Sequence, residues 1–500
     1  MIHVLPIFVK PFYGGVRMTA GINIGSYLVS IYFLFTIVLT IQIILDNKPP
    51  EVAIAWILAI FFLPYAGAVI YLLGGIDWKK RKIMKQLPEK TFKTYLGPIL
   101  ERQKHFLQET SGSFDNDIVK TISLALQAGN SILTVNNSAR FYYEGEGFFE
   151  DLIADLESAS DSIHMEFFIY RSDELGRKIY DILDRKSSQG VKVRMLFDGV
   201  GCFNKMSWGF KHTLKRSMID ARYFLDPMNV LTGRLLNYCN HRKIVVIDGK
   251  TGYTGGMNIG SEYITGGAHF QKWRDTQTRI EGEAVQLLQG VFLSDWYNSG
   301  GDAIQDARFF PITDAVHENL PMQIVVSGPD SDWHSLKKMI LHLISNANEK
   351  VYIQSPYFIP DQALTNALET AALSGVEVNL MMTGVPDKRI PFWVACTYFE
   401  DLLNAGVNIY QYISGFLHAK VVIVDDSVAS VGSCNMDVRS FVIDYEVNAF
   451  FYNPEITLEL IAQFNKDIAE CSQITYKDVH ALQLWKRFRN SMFRIIAPLL

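Results

Sequence analysis

Two long uncharged stretches dominate the beginning of the chain. No charged residue occurs between Arg17 and Asp46, and none occurs in the apolar stretch at 52–76. Crossing a bilayer core of about 30 Å takes about 20 helical residues. The pattern therefore predicts a hairpin of two transmembrane helices, at 22–45 and 52–76, and two such stretches in succession disfavour the alternative of a buried helix in a soluble protein. Pro64 is expected to kink the second helix, which lipid-embedded helices tolerate.

Basic residues flank this hairpin on one side. Lys10 and Arg17 precede the first helix, and the second is followed by Lys79, Lys80, Arg81, Lys82 and Lys85. The polar link between the helices carries one lysine against two acids. The positive-inside rule then places the N-terminal segment (1–21), the basic juxtamembrane linker (77–115) and everything after it in the cytoplasm.

Beyond the linker, strand-like and helix-like patterns alternate. The order strand, helix, strand occurs twice, at 163–170, about 171–188 and 190–198, and again at 351–359, 362–373 and 375–383. Apolar runs of this length, separated by amphipathic stretches, predict a mostly parallel sheet covered by helices, present twice. We place the two repeats at 116–305 and 318–480, with a polar, proline-containing junction between them.

One motif occurs in both repeats with identical spacing. The pattern H-x-K-x4-D-x6-G-[GS]-x-N lies within 236–263 and again within 413–440. Two copies with the same downstream Gly and Asn, in repeated surroundings, are not a chance event. The candidate catalytic residues are His241, Lys243, Asp248, His418, Lys420 and Asp425, and the candidate phosphate-binding residues are Asn258 and Asn435.

The spacing of the motif predicts where its side chains point. Residues two apart on a strand share a face, so His241 and Lys243 should leave the sheet together. Asp248 lies seven residues beyond the histidine, at opposite parity, and begins an Asp-Gly turn. In a regular strand it should fix that turn and orient neighbouring groups rather than point with the histidine.

Joining the repeats about a pseudo-twofold axis would bring together two imidazoles, two lysines and two amides. A neutral histidine can attack phosphorus while a protonated one delivers a proton to the leaving oxygen. The lysines and amides would stabilise charge on the nonbridging oxygens. This chemistry requires neither a metal nor a cofactor, and the symmetry of the motifs leaves open which histidine is the nucleophile.

Composition narrows the class of partner. The chain has 500 residues, a net charge of -5 and 49% apolar residues, with a mean hydropathy of +0.09. The acidic balance disfavours nucleic acid as a partner. The positive hydropathy fits a chain that lies partly in lipid. Five scattered cysteines without CxxC spacing indicate neither a disulfide framework nor a zinc site.

The paired motifs, together with the stretches at 240–250, 356–361 and 432–441, resemble the phospholipase D superfamily and, within it, the bacterial cardiolipin synthases. The resemblance covers essentially the whole chain, including the hairpin. It implies an α/β fold in which two phospholipase D-like repeats, each a mixed sheet flanked by helices, form one pseudo-twofold catalytic unit after a transmembrane hairpin. It also implies a multi-pass protein of the bacterial cell (inner) membrane whose catalytic region faces the cytoplasm.

The same resemblance implies an activity and roles. Two phosphatidylglycerol molecules would react reversibly to give cardiolipin and glycerol, through a phosphatidyl-histidine intermediate. By analogy His241 is the nucleophile and His418 the acid/base. The family pattern places a carboxylate behind each histidine, for which Glu446 and Asp275 are the candidates. A surface or strand-end acid is the alternative for both Glu446 and Asp275.

Other activities compatible with the motif remain alternatives. They are a hydrolytic phospholipase D, a phosphatidylserine synthase and a nuclease, and the hairpin and acidic balance weigh against the last. A non-catalytic lipid-binding protein would be expected to have degenerate motifs, whereas both copies are intact. The sequence leaves open whether phosphatidylethanolamine can be the donor, and the oligomeric state.

The last segment, 481–500, is basic and amphipathic. Between residues 484 and 496 it carries four positive charges and no acid among aromatic and aliphatic residues. It is expected to form an interfacial helix on an anionic lipid surface. The alternative is a helix packed on the catalytic domain with a solvated basic face.

Overall fold

The computed structural model describes residues 24–48, 50–63, 65–75, 101, 115–225, 237–304, 306–311, 319–495 and 497. The predicted N-terminal segment at 1–21, Pro64 and nearly all of the predicted basic linker lie outside the described residues. The chain divides into two compact units, Met1–Val69 and Ile70–Leu500, and each is considered by itself.

The N-terminal apolar stretches form helices. They are α1 Ile24–Leu45, α2 Pro50–Phe62 and α3 Ala66–Ile70, followed by a π-helical turn Tyr71–Gly75. Ile43 and Ile60 are buried where α1 packs on α2, whereas Leu34 and Phe61 point outward and are 64% and 74% exposed. In the part of the chain that the structure describes, none of the helices combines the length and the hydropathy that crossing a membrane requires. The transmembrane hairpin therefore stays a prediction.

The strands of the first half lie on both sides of the first motif and include its strand. They are β1 Leu133–Thr134, β2 Asn137–Tyr142, β3 Ser162–Phe167, β4 Lys192–Asp198, β5 Asp220–Phe224, β6 Lys243–Ile247, β7 Thr251–Gly255, β8 Trp273–Arg274 and β9 Gln277–Gly282. The helices among them are α4 Asn116–Gly129, α5 Gly145–Ser158, α6 Glu174–Ser188, α7 Trp208–Arg216, α8 Glu262–Thr265 and α9 Ala284–Asn298.

The second half contains a similar series. Its strands are β10 Met322–Ser327, β11 Lys350–Gln354, β12 Phe358–Ile359, β13 Glu377–Thr383, β14 Asn408–Tyr412, β15 Phe416–Leu417, β16 Val421–Val424, β17 Val428–Gly432, β18 Met436–Asp437, β19 Glu446–Phe451 and β20 Cys471–Ile474. After a 3-10 turn Ala307–Phe309, its helices are α10 Ser335–Ser345, α11 Gln362–Leu373, α12 Arg389–Ala395, α13 Phe399–Ala405, α14 Val438–Val442, α15 Pro454–Ile468, α16 Tyr476–His480 and α17 Leu484–Ile495.

The two main sheets share one strand order. The seven-stranded sheet runs β2-β9-β7-β6-β3-β4-β5, and the nine-stranded sheet contains the equivalent series β10-β19-β17-β16-β11-β13-β14, flanked by β1 and β20. Equivalent helices also begin alike: Asp173 caps α6 and Asp361 caps α11, each accepting from the N–H three residues ahead. The prediction of two α/β repeats is confirmed.

The prediction of a mostly parallel sheet is wrong. Only β3, β4 and β5, and their equivalents β11, β13 and β14, are parallel neighbours in these sheets. Each motif strand instead returns antiparallel to its neighbours, as β6 does between β3 and β7. The tight turn after the motif strand produces a hairpin, and a hairpin can only pair antiparallel strands. Both sheets are mixed, as the family resemblance implies.

The first predicted repeat boundary also differs from the structure. Strand β1 pairs with β10 at the edge of the second sheet. Helix α4 buries Ile122 and Ala125 in a core with Val325 and Leu336 of the second half. The segment 116–134 therefore completes the second repeat, because its apolar helix face has its complement there.

The inner faces of the two sheets contribute to one core. Val246 of β6, Ile423 of β16, Trp296 of α9 and Phe464 of α15 belong to a single buried cluster. The motif strands are apolar on every side, as expected for strands covered on both faces. This shared core joins the two motif strands.

The C-terminal helix α17 packs against α12. The rings of Phe493 and Trp393 lie 5.5 Å apart, and Arg487 forms an ion pair of 3.0 Å with Glu400. The alternative expectation, a helix packed on the catalytic domain, therefore agrees with the structure in its packing. It expected a solvated basic face, whereas the face that points away from the domain is apolar.

Candidate active site

The two motif histidines enter the site just before the motif strands begin. His241 lies two residues before β6 proper, and His418 lies three residues before β16. In each motif the lysine ammonium donates a hydrogen bond to the carbonyl oxygen of its own histidine. The predicted shared face of histidine and lysine is thus present in both copies.

Each histidine is paired with a carboxylate of the other repeat. Nδ1 of His241 lies 3.0 Å from both carboxylate oxygens of Glu446, and Nδ1 of His418 lies 2.7 Å from Oδ2 of Asp275. Both carboxylates are fully buried. A carboxylate at Nδ1 holds the ring and leaves Nε2 for the substrate. The carboxylates meet the histidines as the family pattern implies, crossed between the repeats.

The backbone repeats this crossing. The N–H of His241 donates to the carbonyl of Tyr445 at 2.9 Å, and the N–H of His418 donates to the carbonyl of Arg274 at 2.7 Å. Tyr445 and Arg274 immediately precede the two carboxylate residues. Each histidine is therefore held at two points by consecutive residues of the opposite repeat.

Two buried arginines anchor the carboxylate residues. Arg242 donates to the carbonyl oxygen of Glu446 at 3.2 Å and pairs with Asp295 of α9. Arg274 donates to the carbonyl oxygen of its neighbour Asp275 and pairs with Asp467 of α15 at 2.7 Å.

Sequence reasoning did not single out these arginines. Arg242 sits between the motif histidine and lysine, so on a strand covered on both sides it must face the core, where an arginine requires an acid. That parity could have identified it.

The two carboxylates have different neighbours. Ser433 donates its hydroxyl to Glu446. The equivalent residue is Gly256, where a Cβ atom would lie 2.0 Å from Oδ1 of Asp275. Asp275 instead accepts the N–H of Thr276 at 2.7 Å. The pseudo-twofold symmetry is therefore broken at the atoms that hold the histidines.

Burial keeps both imidazoles neutral. It lowers the pKa of His418 to about 4 and that of His241 well below its ordinary value, and the charge of the motif lysine on the same strand acts in the same direction. The lysine of the opposite motif also lowers both pKa values, so the two motifs share one electrostatic site.

The remaining charged groups are also shifted. Burial lowers the pKa of Lys243 to about 7 and that of Lys420 to about 8. Burial raises the pKa of Glu446 to about 7. Burial also opposes ionisation of Asp275, but the adjacent His418 and Lys420 outweigh it and hold the pKa of Asp275 below its ordinary value. Asp275 is thus the better ionised of the two carboxylates.

The side-chain amides of Asn258 and Asn435 differ in how many hydrogen bonds they already make within the protein. Asn258 accepts from the N–H of Ile169 at 2.9 Å and donates to the hydroxyl of Tyr263 at 2.8 Å. Oδ1 of Asn435 is buried and has no hydrogen-bond partner among the described residues. Asn435 therefore has more polar capacity left for a ligand.

The structure does not bring Asp248 and Asp425 to the histidines, and naming them among the catalytic residues needs correction. Asp248 lies at the far end of β6, where its carboxylate accepts the backbone N–H groups of Ser160, Asp161 and Ser162 at 2.8 Å. Asp425 accepts three N–H groups, at 348–350, in the same way. Their odd separation from the histidines put them on this turn, as the parity argument predicted.

Aromatic rings line the histidines. Phe168 lies 5.0 Å from the ring of His241, and Trp273 and Phe416 each lie 5.6 Å from the ring of His418. Among the residues that the structure describes, no group of three or more His, Cys, Asp or Glu side chains is placed to hold a metal ion. The site offers nucleophiles, cations and apolar walls, a set suited to a phosphodiester attached to lipid.

Comparison with known proteins agrees with this set. The family described as cardiolipin synthase, PLD-like domain, matches residues 152–296 and 340–468, and the phospholipase D-nuclease N-terminal family matches residues 29–75. The major cardiolipin synthase ClsA of Bacillus subtilis is 37% identical over 96% of this chain and 100% of its own length. A cardiolipin synthase of Staphylococcus aureus is 38% identical over 96% of this chain and 97% of its own.

A solved structure shows the same fold. The phosphatidylserine synthase of Haemophilus influenzae, 16% identical, covers 76% of this chain and 100% of its own, with a TM-score of 0.56. The family match over both repeats and the full-length relatives lead to one conclusion: the chain belongs to the PLD-like cardiolipin synthase family.

Proposed function

We propose that this chain transfers a phosphatidyl group from one phosphatidylglycerol to a hydroxyl of a second, giving cardiolipin and glycerol. The observation that carries the proposal is the pair of histidines, each held through Nδ1 by a carboxylate of the other repeat. The names of the relatives at 37% and 38% identity support the choice of product. The reaction exchanges one phosphodiester for another, so it needs no nucleotide.

In the first step Nε2 of His241 attacks the phosphorus of the donor lipid. The bond from phosphorus to the glycerol headgroup oxygen breaks, and His418 gives its Nε2 proton to that oxygen. Glycerol leaves, and the phosphatidyl group remains on His241. In the second step neutral His418 takes the proton from a hydroxyl of the acceptor lipid, whose oxygen forms a bond to phosphorus while the bond to His241 breaks.

The asymmetry of the carboxylates supports this assignment of roles. An ionised carboxylate stabilises an imidazolium, so Asp275, whose pKa is held low, suits a histidine that must carry a proton. The pKa of Glu446 is raised to about 7, so this carboxylate is only partly ionised near neutral pH and stabilises an imidazolium at His241 less than a full negative charge would. His241 is thereby the histidine better kept neutral, as a nucleophile must be.

A bound phosphodiester would bring negative charge into the site. Its anion would raise the pKa of both imidazoles and both lysines, because an opposite charge favours the protonated form. The ammonium groups of Lys243 and Lys420 and the side-chain amide nitrogen of Asn435 would then face the nonbridging oxygens. Asp248 and Asp425 take no part beyond holding their turns.

We further propose that the N-terminal helices form a hairpin in the bacterial cell membrane, with the catalytic repeats on the cytoplasmic side. The family match at 29–75 and the outward apolar side chains of α1 and α2 support it. A site tethered to the membrane meets lipid at high effective concentration and little water, and both favour transfer over hydrolysis. The Phe168 and Trp273 rings beside the histidines act in the same direction.

The test uses the purified full-length chain and vesicles of phosphatidylglycerol labelled in its headgroup. We expect one labelled glycerol released for each cardiolipin formed. Phosphatidic acid without cardiolipin would instead identify a hydrolase. The variants His241→Ala and His418→Ala should each abolish turnover while vesicle binding persists, and full activity in either would rule out the two-histidine mechanism.

The covalent step is tested with lipid labelled in the phosphatidyl moiety. Label that is stable to alkali and released by acid, as expected of a phosphorus–nitrogen bond, should appear on the quenched unsubstituted chain and be absent from His241→Ala. Label that persists in His241→Ala and is absent from His418→Ala would reverse the two roles.

A further inference from the structure

The C-terminal helix α17 exposes an apolar stripe. We define the stripe by five residues: Leu484, Trp485, Phe488, Met492 and Ile495. They are 83%, 65%, 62%, 50% and 51% exposed, respectively. At 3.6 residues per turn all five fall within about 100° of the helix circumference. So many large apolar side chains on one exposed face indicate a contact surface rather than scattered surface residues.

The helix is docked on the protein by Phe493 and by its arginines. The guanidinium of Arg489 lies 3.8 Å from the ring centre of Trp393, and that of Arg494 lies 4.3 Å from the ring centre of Tyr398. A helix that serves only to cover a domain buries its apolar face and exposes its charges. In α17 the arrangement is reversed.

Helix α17 is connected to the catalytic site through one neighbouring helix. Helix α17 packs on α12, and α12 begins at Arg389, directly after Lys388. The ammonium of Lys388 lies 5.3 Å from the ring centre of Tyr357, and its charge reaches His241. The helix that carries the stripe is thus one helix removed from the catalytic histidine.

We infer that α17 lies in the headgroup layer of an anionic bilayer, with the stripe inserted and its basic residues at the level of the phosphates. The helix carries Lys486 and three arginines and no acid, which complements an anionic lipid surface and no other obvious partner. Lys486 is exposed and can extend its ammonium to the headgroups. The three arginines contact the protein through their guanidinium groups and add positive charge beside the lipid surface.

The consequence is a second membrane contact, separate from the N-terminal hairpin. It would set the catalytic site at the depth of the lipid phosphates. The inference rests on the helix geometry and takes from the proposed function only that the substrate lipid is anionic.

The test measures depth at single positions, because the hairpin would keep any variant on the vesicle. A fluorescent label is attached at Trp485→Cys or Phe488→Cys, and at Leu373→Cys as the matched control, since Leu373 is 73% exposed at the end of α11. The full-length chain is placed in vesicles of phosphatidylcholine and phosphatidylglycerol. The unsubstituted chain measures background labelling of its own cysteines.

Spin-labelled lipids should quench the labels at 485 and 488 and spare the label at 373, while aqueous iodide should do the reverse. Labels at all three positions that respond to iodide alone would overturn the inference. Labels at 485 and 488 that respond to neither quencher would also overturn it, because they would be covered by protein, such as a second copy of the chain.

A second measurement separates this inference from the proposed function. The double variant Trp485→Glu/Phe488→Glu should lower turnover of phosphatidylglycerol in vesicles about tenfold or more, since two buried aromatic contacts with lipid are lost. Turnover of a short-chain, monomeric phosphatidylglycerol should stay unchanged. Equal turnover on vesicles would refute the lipid contact, whereas loss on both substrates would place the stripe in the catalytic fold instead.

Discussion

Oδ2 of Asp275 lies 2.7 Å from Nδ1 of His418, although the two residues belong to different repeats. Glu446 reaches across in the opposite sense, to His241. Neither histidine is oriented by its own half of the chain. Catalytic competence therefore depends on the docking of the two repeats as much as on the motifs themselves.

Asp275 and Glu446 should differ when their charges are removed. Asp275→Asn is expected to lower kcat about 10²–10⁴-fold, because the ionised carboxylate is what lets His418 carry a proton. Glu446→Gln should cost about tenfold, since the pKa of Glu446 is already raised to about 7 and its charge is less needed. Steady-state rates of both variants on vesicles provide the comparison. A larger loss in Glu446→Gln would argue for exchanged roles.

Gly256 should be intolerant of even one methyl group. A Cβ atom at this position would lie 2.0 Å from Oδ1 of Asp275, so Gly256→Ala must push the carboxylate away from His418. We expect kcat to fall while the protein stays folded. Activity assays measure the first effect, and circular dichroism measures the second. Gly209→Ala is the control, because a Cβ atom there has nothing within 4 Å. Normal kcat in Gly256→Ala would mean that the carboxylate position is unimportant.

The rate should fall as the pH rises through neutrality. The pKa values of Lys243 and Lys420, lowered to about 7 and about 8, mean that their ammonium groups lose protons in this range. The pKa of His418 is about 4, so the fraction that carries the required proton also shrinks with rising pH. We expect kcat/KM on a short-chain substrate to decline from pH 6 to pH 9. A flat or rising profile would contradict the charge assignments.

Asp248 should matter for stability and not for chemistry. Its carboxylate accepts the N–H groups of residues 160–162, and its φ of 51° suits Asp or Asn. Asp248→Ala leaves these donors without their acceptor and should lower the free energy of unfolding by about 1–3 kcal/mol. Asp248→Asn should lose less, because it keeps one oxygen and tolerates the same backbone. Thermal melting gives the stabilities.

The catalytic rate per folded molecule of Asp248→Ala and Asp248→Asn tests whether Asp248 takes part in the chemistry. In both variants this rate should match that of the unsubstituted chain. A rate that is lost in Asp248→Asn without a loss of stability would return this aspartate to the catalytic group.

Local spacing was enough to predict the parts of the site that lie within one strand. His241 and Lys243 share a face because they are two residues apart, and the turn position of Asp248 follows from its odd separation. The strands of each motif could be recognised because they are short apolar runs. These relations depend on nothing beyond the period of a β-strand.

The relations between strands and between repeats could not be predicted in this way. The partner of His241 is 205 positions away, and its identity depends on how two sheets dock around Trp296 and their shared core. The strand pattern alone indicated a mostly parallel sheet, because the strand-helix-strand units are parallel and only the motif hairpin reverses direction; the mixed sheet was implied by the family resemblance. Helix α4 was assigned to the nearer repeat, but its apolar face fits the farther one.

The crossed acids have a consequence for how such a protein can arise. A polypeptide with only one of the halves would carry a histidine lacking its acid and an acid lacking its histidine. Two identical halves could remedy this by associating symmetrically, each lending its acid to the other. Once joined in one chain, the halves are free to diverge. One half has Gly256 beside an aspartate, and the other has Ser433 beside a glutamate. A strictly symmetric pair could never acquire such a difference.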